Sequence, residues 1–381
     1  MRAILTAIAI IAAGLSAAPN ASAQLETPAR NVAIMDAGAG ILLYCDDCET
    51  PMPPASMSKL MTVLIVAERI AAGEISMDTT YTVSENAWRH GAVSDGSHMF
   101  LELGSEVSVG DLLRGVIIVS ANDACIVLAE GLFGSEQAFV AEMNRRAQQL
   151  GLRSARFRNT TGLPDPDHVI SAADLARLTR HMITTQPALY DFYDQPSFTY
   201  NNRTQQNRNP LLGAFDGADG VKTGHTSVSG YGLVGSAVLN GQRRIIVFNG
   251  TNSMAQRRSE AQRIMSAAFH DFGVTRLAAA GEEIGEAEVR LGSRPNVALV
   301  AQSDIAIGGP RAVQSGLSAH IVYDGPLAAP IAEGDVVARL VVEGPGFETQ
   351  EFPLAAGRRV GRANPFARAW EGLRLTLFGA S

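Results

Sequence analysis

The chain has 381 residues, 46% hydrophobic and 18% charged, which suits a packed globular protein of about two domains and excludes wholesale disorder. A formal net charge of -7 with no basic run excludes a nucleic-acid binder. Seven scattered histidines form no HExxH or His/Cys cluster, so neither a metal nor any other cofactor is expected.

In chain order, Met1-Arg2, the apolar run Ile4 to Leu15 and Ala21-Ser22-Ala23 read as an export signal over residues 1–23, leaving Gln24 first after cleavage. The apolar part is shorter than the ~20 residues of a spanning helix. A periplasmic protein is therefore expected rather than a cytoplasmic one. Next, "NVAIMDAGAGILLYCDD" reads as a hairpin about Asp36-Ala37-Gly38. Cys45 and Cys48 fall in a loop and could pair in an oxidising compartment, while Cys125 reads as a buried thiol.

Residues 56–72 read as a helix ended by Gly73, and its core "LMTVLIVA" is apolar on every side, as at the centre of a domain. Further helices are expected over 109–131, 135–150, 171–184 and 254–271. Between the last two, "GYGLVGSAVLNGQRRIIVFNG" reads as two strands joined at Asn240-Gly241 by a type I′ turn. Strands at both ends with helices between them predict an α/β catalytic domain over 24–275, its antiparallel sheet closed by distant segments. Residues 276–357 have short strands, frequent Gly and Pro and no helical period, and read as a small all-β domain.

The tail, 358–381, is amphipathic, with Phe366, Trp370, Leu373 and Leu377 on one helical face and five arginines against one glutamate. Such a helix is expected to lie on a membrane surface, with docking onto its own domain as the alternative.

Of the 31 lysines and arginines only Lys59 and Lys222 are lysine. A guanidinium stays charged in any protein environment, whereas burial can turn an ammonium into a base. Ser56-Met57-Ser58-Lys59 puts a hydroxyl and an amine one turn apart on a helix face, at an N-terminus that favours developing negative charge. Ser120-Ala121-Asn122 follows, and Lys222-Thr223-Gly224 precedes the second hairpin on an expected edge strand. S-x-x-K, S-x-N and K-T-G in this order form the motif set of penicillin-binding proteins and serine β-lactamases.

With "SENAWRHGA", "DLLRGVIIVSANDACIVLAE", "NTTGLPD" and "DGVKTGHTSVSGYGLVGSA", the chain resembles the D-alanyl-D-alanine carboxypeptidases, low-molecular-weight penicillin-binding proteins of the serine peptidase type. The resemblance covers nearly the whole mature chain, β domain and basic tail included. It implies a DD-peptidase/β-lactamase-like fold, a peptidoglycan stem-peptide substrate and covalent inhibition by β-lactam antibiotics. Ser56 is then the nucleophile, Lys59 its base, Ser120 a proton relay and Asn122 a holder of Lys59 and a substrate amide. Lys222, Thr223 and Arg208 would receive the terminal carboxylate, Gly224 would let the substrate lie against the strand, and Ser56 and His225 would lend oxyanion-hole N–H groups.

The middle residue of S-x-N is Ala121 where glycine is common, a slot without reactive chemistry. A structural role is equally expected for the His225 ring, as are helix bracing for Asp174, a loop position for His168 and packing near the rim for Trp88 and Phe100. Two alternatives remain at this point, a serine β-lactamase and a catalytically silent wall-binding protein. Against the first, residues 159–174 contain no glutamate; against the second, no motif residue is missing.

Overall fold

Strands β1 (Arg30–Asp36) and β2 (Ile41–Asp46) form the first hairpin. Strands β3 (Ala218–Thr226), β4 (Gly230–Leu239) and β5 (Gln242–Thr251) form an antiparallel meander. Asn240 at φ 51° and Gly241 at φ 74° make the two-residue turn between β4 and β5, which needs a left-handed backbone at both positions. Pairing of β5 with β1, Ile246 opposite Ile34, joins the chain's distant parts into one five-stranded sheet of order β2-β1-β5-β4-β3. That order leaves β3, the strand carrying Lys222-Thr223-Gly224, at an open edge. This structure, a computed structural model, describes residues 3–5, 25–92 and 96–365. The described residues divide into a unit Leu25–Gly273 and a second unit from Val274 onward.

Helix α1 (Lys59–Ala71) follows a single 3-10 turn, Ala55–Ser58, and every residue from Lys59 to Ala67 is buried. Its apolar residues bury on all sides because helices and sheet surround it, and it anchors a core that includes Leu60, Leu64, Val116, Ile126, Leu175 and Val247. Helix α2 (Glu85–Ala92) packs on the helix α4 described next, α6 (Ala172–Thr185) on β1 and β5, and α7 (Met254–His270) on β4 and β5.

The continuous helix expected over 109–131 is instead broken. Helix α3 (Val109–Arg114) runs into a π turn, Gly115–Val119, and the chain reverses at Ser120 (φ 67°) before α4 (Asn122–Phe133) begins. Ala121 N donates to Gly115 O at 2.9 Å and Asn122 N to Ser97 O at 2.7 Å, so the backbone groups freed by the break are still paired. Apolar residues run through 109–131 with no Pro, and with no Gly at the reversal at Ser120, so pattern alone could not reveal it. Helix α5 (Glu136–Gln149) starts after the Ser135 cap.

The second unit, to which residues 3–5 also belong, is a mainly antiparallel sheet with strands in the order Ala3–Leu5, Ser318–Tyr323, Val336–Gly344, Phe347–Ala356, Asn296–Ala301, Glu283–Arg290 and Leu327–Ala328, the last pair parallel. One four-residue helix, Arg311–Gln314, interrupts it. Its own core contains Val297, Leu299, Leu340, Val342 and Leu354. The all-β character read for this region stands.

Cys45 and Cys48 are joined by a disulfide. Among the described residues no single helix is long and apolar enough to cross a membrane. The export signal, apart from residues 3–5, and the tail face of Phe366, Trp370, Leu373 and Leu377 lie outside the described residues.

Candidate active site

Four segments meet at one cleft of about 1000 Å³ beside the open edge of β3, lined by Ser56, Ser120, Asn122, Thr161, Thr223 and Gly224 among others. Ser56 sits in the 3-10 turn after Pro53-Pro54, where Ala55 adopts φ 50°. Asn249 of β5 holds this approach by donating from Nδ2 to Pro53 O at 3.2 Å. A Cβ on Gly224 would meet Pro54 O at 2.7 Å, so only glycine lets β3 run this close to the nucleophile's segment.

Lys59, the first residue of α1, is completely buried. Its Nζ contacts Ser56 Oγ at 3.0 Å, Asn122 Oδ1 at 2.8 Å and the carbonyl oxygen of Thr161. Desolvation lowers its pKa to about 8; Arg208 pushes the same way, against opposing contributions from Cys125 and Asp123. The Asp123 carboxylate is engaged elsewhere, accepting from the backbone N–H groups of Met99, Leu101 and Ala124. A neutral amine has two N–H donors and one lone pair. Asn122 Oδ1 and Thr161 O can only accept, so they take the two donors and the lone pair faces the Ser56 hydroxyl.

Lys222 is buried on β3, and the one hydrogen bond it makes among the described residues runs to Thr223 O at 3.3 Å. Desolvation, then repulsion from Lys59 and Arg208, drives its pKa well below the ordinary lysine value. Ser120 lines the cleft as expected of a relay. Its Oγ is buried without a hydrogen-bond partner, so it contacts neither lysine directly.

Arg208 lines the cleft and donates to Ser97 Oγ. His225 stacks on Tyr231, ring centroids 3.8 Å apart. Burial and then Arg257 hold its pKa below the ordinary histidine value.

Arg257, on the first turns of α7, is the residue the sequence reading missed. It is 8% exposed and lines the cleft. Its Nη1 reaches Gly224 O at 3.5 Å, while its buried Nε has no partner. Desolvation lowers its pKa to about 10. Among the described residues no carboxylate lines the cleft that this buried guanidinium faces, so an anionic ligand would supply the counter-charge its burial demands. One signal was present in "NSMAQRRSE": Ser253 caps the helix, so Arg257 and Arg258 fall at the end where the dipole disfavours cations.

The residues given structural readings divide. Asp174 braces the fold, accepting from Ser154 N at 2.9 Å and from Arg177 at 2.7 Å. His168 lies in a loop, as expected, but is buried there: it is 2% exposed, and its Nδ1 accepts from Arg158 N at 3.1 Å. Burial holds its pKa at about 4, so it stays neutral. Trp88 and Phe100 are each 38% exposed rather than packed away, with Arg203 lying over the Phe100 ring.

A sequence model of the family described as D-alanyl-D-alanine carboxypeptidase matches residues 18–252, and one described as penicillin-binding protein 5, C-terminal domain, matches 272–362. The D-alanyl-D-alanine carboxypeptidase DacA of Haemophilus influenzae is 36% identical over 356 residues, 92% of this chain and 90% of that protein. The crystal structure of penicillin binding protein 5 from Haemophilus influenzae superposes with a TM-score of 0.76, covering 89% of this chain and 99% of that one at 36% identity. Penicillin-binding protein D2 from Listeria monocytogenes, solved in its ampicillin-bound form, superposes with a TM-score of 0.58 at 29% identity, covering 65% of this chain and 99% of that one.

Proposed function

Because the chain belongs to the D-alanyl-D-alanine carboxypeptidase family of penicillin-binding serine hydrolases, we propose that Ser56, Lys59, Ser120 and Asn122 carry its reaction, with Thr223, Arg208 and Arg257 receiving the substrate's carboxylate. The observation that carries this reading is the 3.0 Å contact between Lys59 Nζ and Ser56 Oγ, inside a shell that directs the amine's lone pair at the hydroxyl.

Neutral Lys59 takes the Ser56 proton as Oγ attacks the carbonyl carbon of the penultimate D-alanine. The carbonyl oxygen gathers negative charge between the backbone N–H groups of Ser56 and His225. Collapse breaks the C–N bond, releasing the terminal D-alanine as its amine gains a proton. Ser120 Oγ, buried and without a protein partner, faces the space where that nitrogen leaves and passes the proton across. Water then repeats the sequence, with Lys59 as base and Ser56 as leaving group, and frees the shortened peptide.

The cationic ring explains why a free terminal carboxylate is required. Arg257 and Arg208 supply charge, and Thr223 Oγ1 a donor. Lys222, coupled electrostatically to Lys59, Arg208 and Arg257, adds to the field that receives the carboxylate. A β-lactam presents an acylating carbonyl and a carboxylate to the same groups. Residues 159–174 carry no glutamate that could activate a deacylating water, so deacylation rests on the Lys59–Ser120 pair and a long-lived penicilloyl adduct is expected.

The export signal and cationic tail support action on the outer face of the cytoplasmic membrane, on peptidoglycan stem peptides. The test is turnover of a D-Ala-D-Ala-terminated tripeptide. Wild type is expected to release D-alanine, and Ser56→Ala to release none and to take up no fluorescent penicillin. Undiminished release by Ser56→Ala sinks the assignment.

A further inference from the structure

Lys59 takes one of its three contacts from a backbone carbonyl, and a carbonyl is aimed only by what holds its peptide. Thr160 and Thr161 are held by side chains from three places. Asn159 Oδ1 accepts from Thr161 N at 3.2 Å, Thr161 Oγ1 at 3.1 Å and Gly162 N at 2.7 Å, while its Nδ2 donates to Leu163 O at 3.0 Å. Glu136, at the start of α5, accepts on one carboxylate oxygen from Thr160 N at 2.9 Å and Thr160 Oγ1 at 2.8 Å. Thr62, one turn below Lys59 on α1, donates from Oγ1 to Thr160 O at 2.8 Å. Resting on the reading of Lys59 as the base, we propose that Asn159 and Glu136 are positioning residues: they keep the Thr161 carbonyl on Lys59 and thereby turn the amine's lone pair toward Ser56.

The reason lies in how a neutral amine chooses its partners. With Asn122 Oδ1 and Thr161 O both in place, each N–H has an obligatory acceptor and the lone pair is left for the hydroxyl. If the Thr161 carbonyl swings away, the second N–H does better by donating to Ser56 Oγ. The lone pair then turns to the vacated side, and the hydroxyl loses its base without any catalytic side chain having changed. Neither Asn159 nor Glu136 lines the cleft, so their effect on the reaction runs through the Thr160-Thr161 peptide.

Two consequences separate positioning from mere support. A carbonyl acceptor stabilises the ammonium more than the amine, so losing it moves the acid limb of the acylation profile to lower pH while the plateau falls. Glutamine at 136 keeps a carbonyl oxygen for both Thr160 donors, so Glu136→Gln acts as the conservative control for Glu136→Ala.

The experiment measures acylation by a fluorescent penicillin across pH 6 to 10, per mole of enzyme competent to bind it at saturation. Asn159→Ala and Glu136→Ala are expected to lower the plateau about tenfold, the factor for one misplaced hydrogen bond, with the acid limb displaced to lower pH. Glu136→Gln should stay near the wild-type profile. The inference is overturned if both alanine variants acylate at the wild-type rate, or if their loss is uniform with pH and Glu136→Gln is as impaired as Glu136→Ala. Lys59→Arg distinguishes the two levels: normal acylation by that variant removes the base assignment itself, whereas an inert Lys59→Arg beside silent Asn159 and Glu136 variants removes this inference alone.

Discussion

The pH dependence of acylation carries the mechanism most directly. An ordinary lysine, with a pKa of 10.5, would be neutral in only about 0.03% of molecules at pH 7. Depressed to about 8, Lys59 is neutral in roughly a tenth of them, a gain of about three-hundredfold in active base. Acylation by a penicillin whose own charge is constant across the range is therefore expected to rise tenfold per pH unit below about 7.5 and to level off above about 8.5. Stopped-flow acylation over pH 5.5 to 9.5, repeated with Lys59→Arg, reads this out; the guanidinium cannot lose its proton, so that variant should be inert throughout. A flat profile between pH 6 and 9, or a limb centred near the ordinary lysine value, would refute desolvation as the source of the base. The same shift carries a stability cost. The folded pKa lies below the unfolded one, so the folded state is penalised by at most about 3 kcal/mol while Lys59 must be charged. That penalty is fully present below about pH 8 and fades as the pH rises from there toward 10.5.

Three further outcomes follow from single contacts. Arg257→Ala should lower kcat/KM on a tripeptide with a free C-terminal carboxylate by about 30- to 150-fold, the worth of a charge-assisted hydrogen-bond pair. On the C-terminal amide it should change little, and equal losses on both substrates would remove Arg257 from the carboxylate site. Gly162, at φ 80°, lies against the nucleophile's segment, where an added Cβ would fall 2.0 Å from Ala55 O. Gly162→Ala should therefore cut acylation at least tenfold and lower Tm by several degrees; unimpaired acylation by this variant would show that the 159–163 loop does not set the position of Ser56. Removing residues 366–381, and not the buried Val360 that pairs with Ile331, should abolish co-flotation with anionic vesicles while sparing tripeptide hydrolysis. Persistent flotation would show that the tail is not the anchor.

The parts of the site legible in the sequence were those written in side-chain identity. Three motifs, two lysines and the apolar helix begun by the first of them predicted which groups would meet, because S-x-x-K fixes its own geometry and Lys222-Thr223-Gly224 directly precedes the hairpin that the Asn-Gly turn marks. What stayed hidden was written in the backbone. The break at Ser120 follows from a reversal that the apolar pattern runs straight through. The Thr161 carbonyl has no residue signature at all, and Asn159 and Glu136 read as an ordinary loop amide and an ordinary first-turn acid. Arg257 left a faint trace as a cation on the wrong end of a helix, but no ion pair among the described residues answers it, so no charge pattern could pair it. His168 does lie in a loop, as read, but the sequence did not show that the loop folds under until Arg158 N donates to the ring.

The scarcity of lysine follows from the charge balance around the cleft. Arg208 and Arg257 line the cleft, Lys59 and Lys222 lie buried close enough to interact with them, no carboxylate lines the cleft among the described residues, and each of the four is desolvated. Cations crowded this way must either find an anion or shed protons. The arginines cannot shed theirs and so wait for an anion, which gives the substrate's carboxylate a strong and specific attraction. Both lysines can, and burial drives both toward neutrality, but with different partners. Lys59 has two acceptors and a hydroxyl, so its free lone pair becomes a base aimed at one oxygen, whereas the hydrogen bond that Lys222 makes among the described residues runs to its neighbour's carbonyl. A guanidinium, which keeps its proton in any protein environment, could not stand in for Lys59.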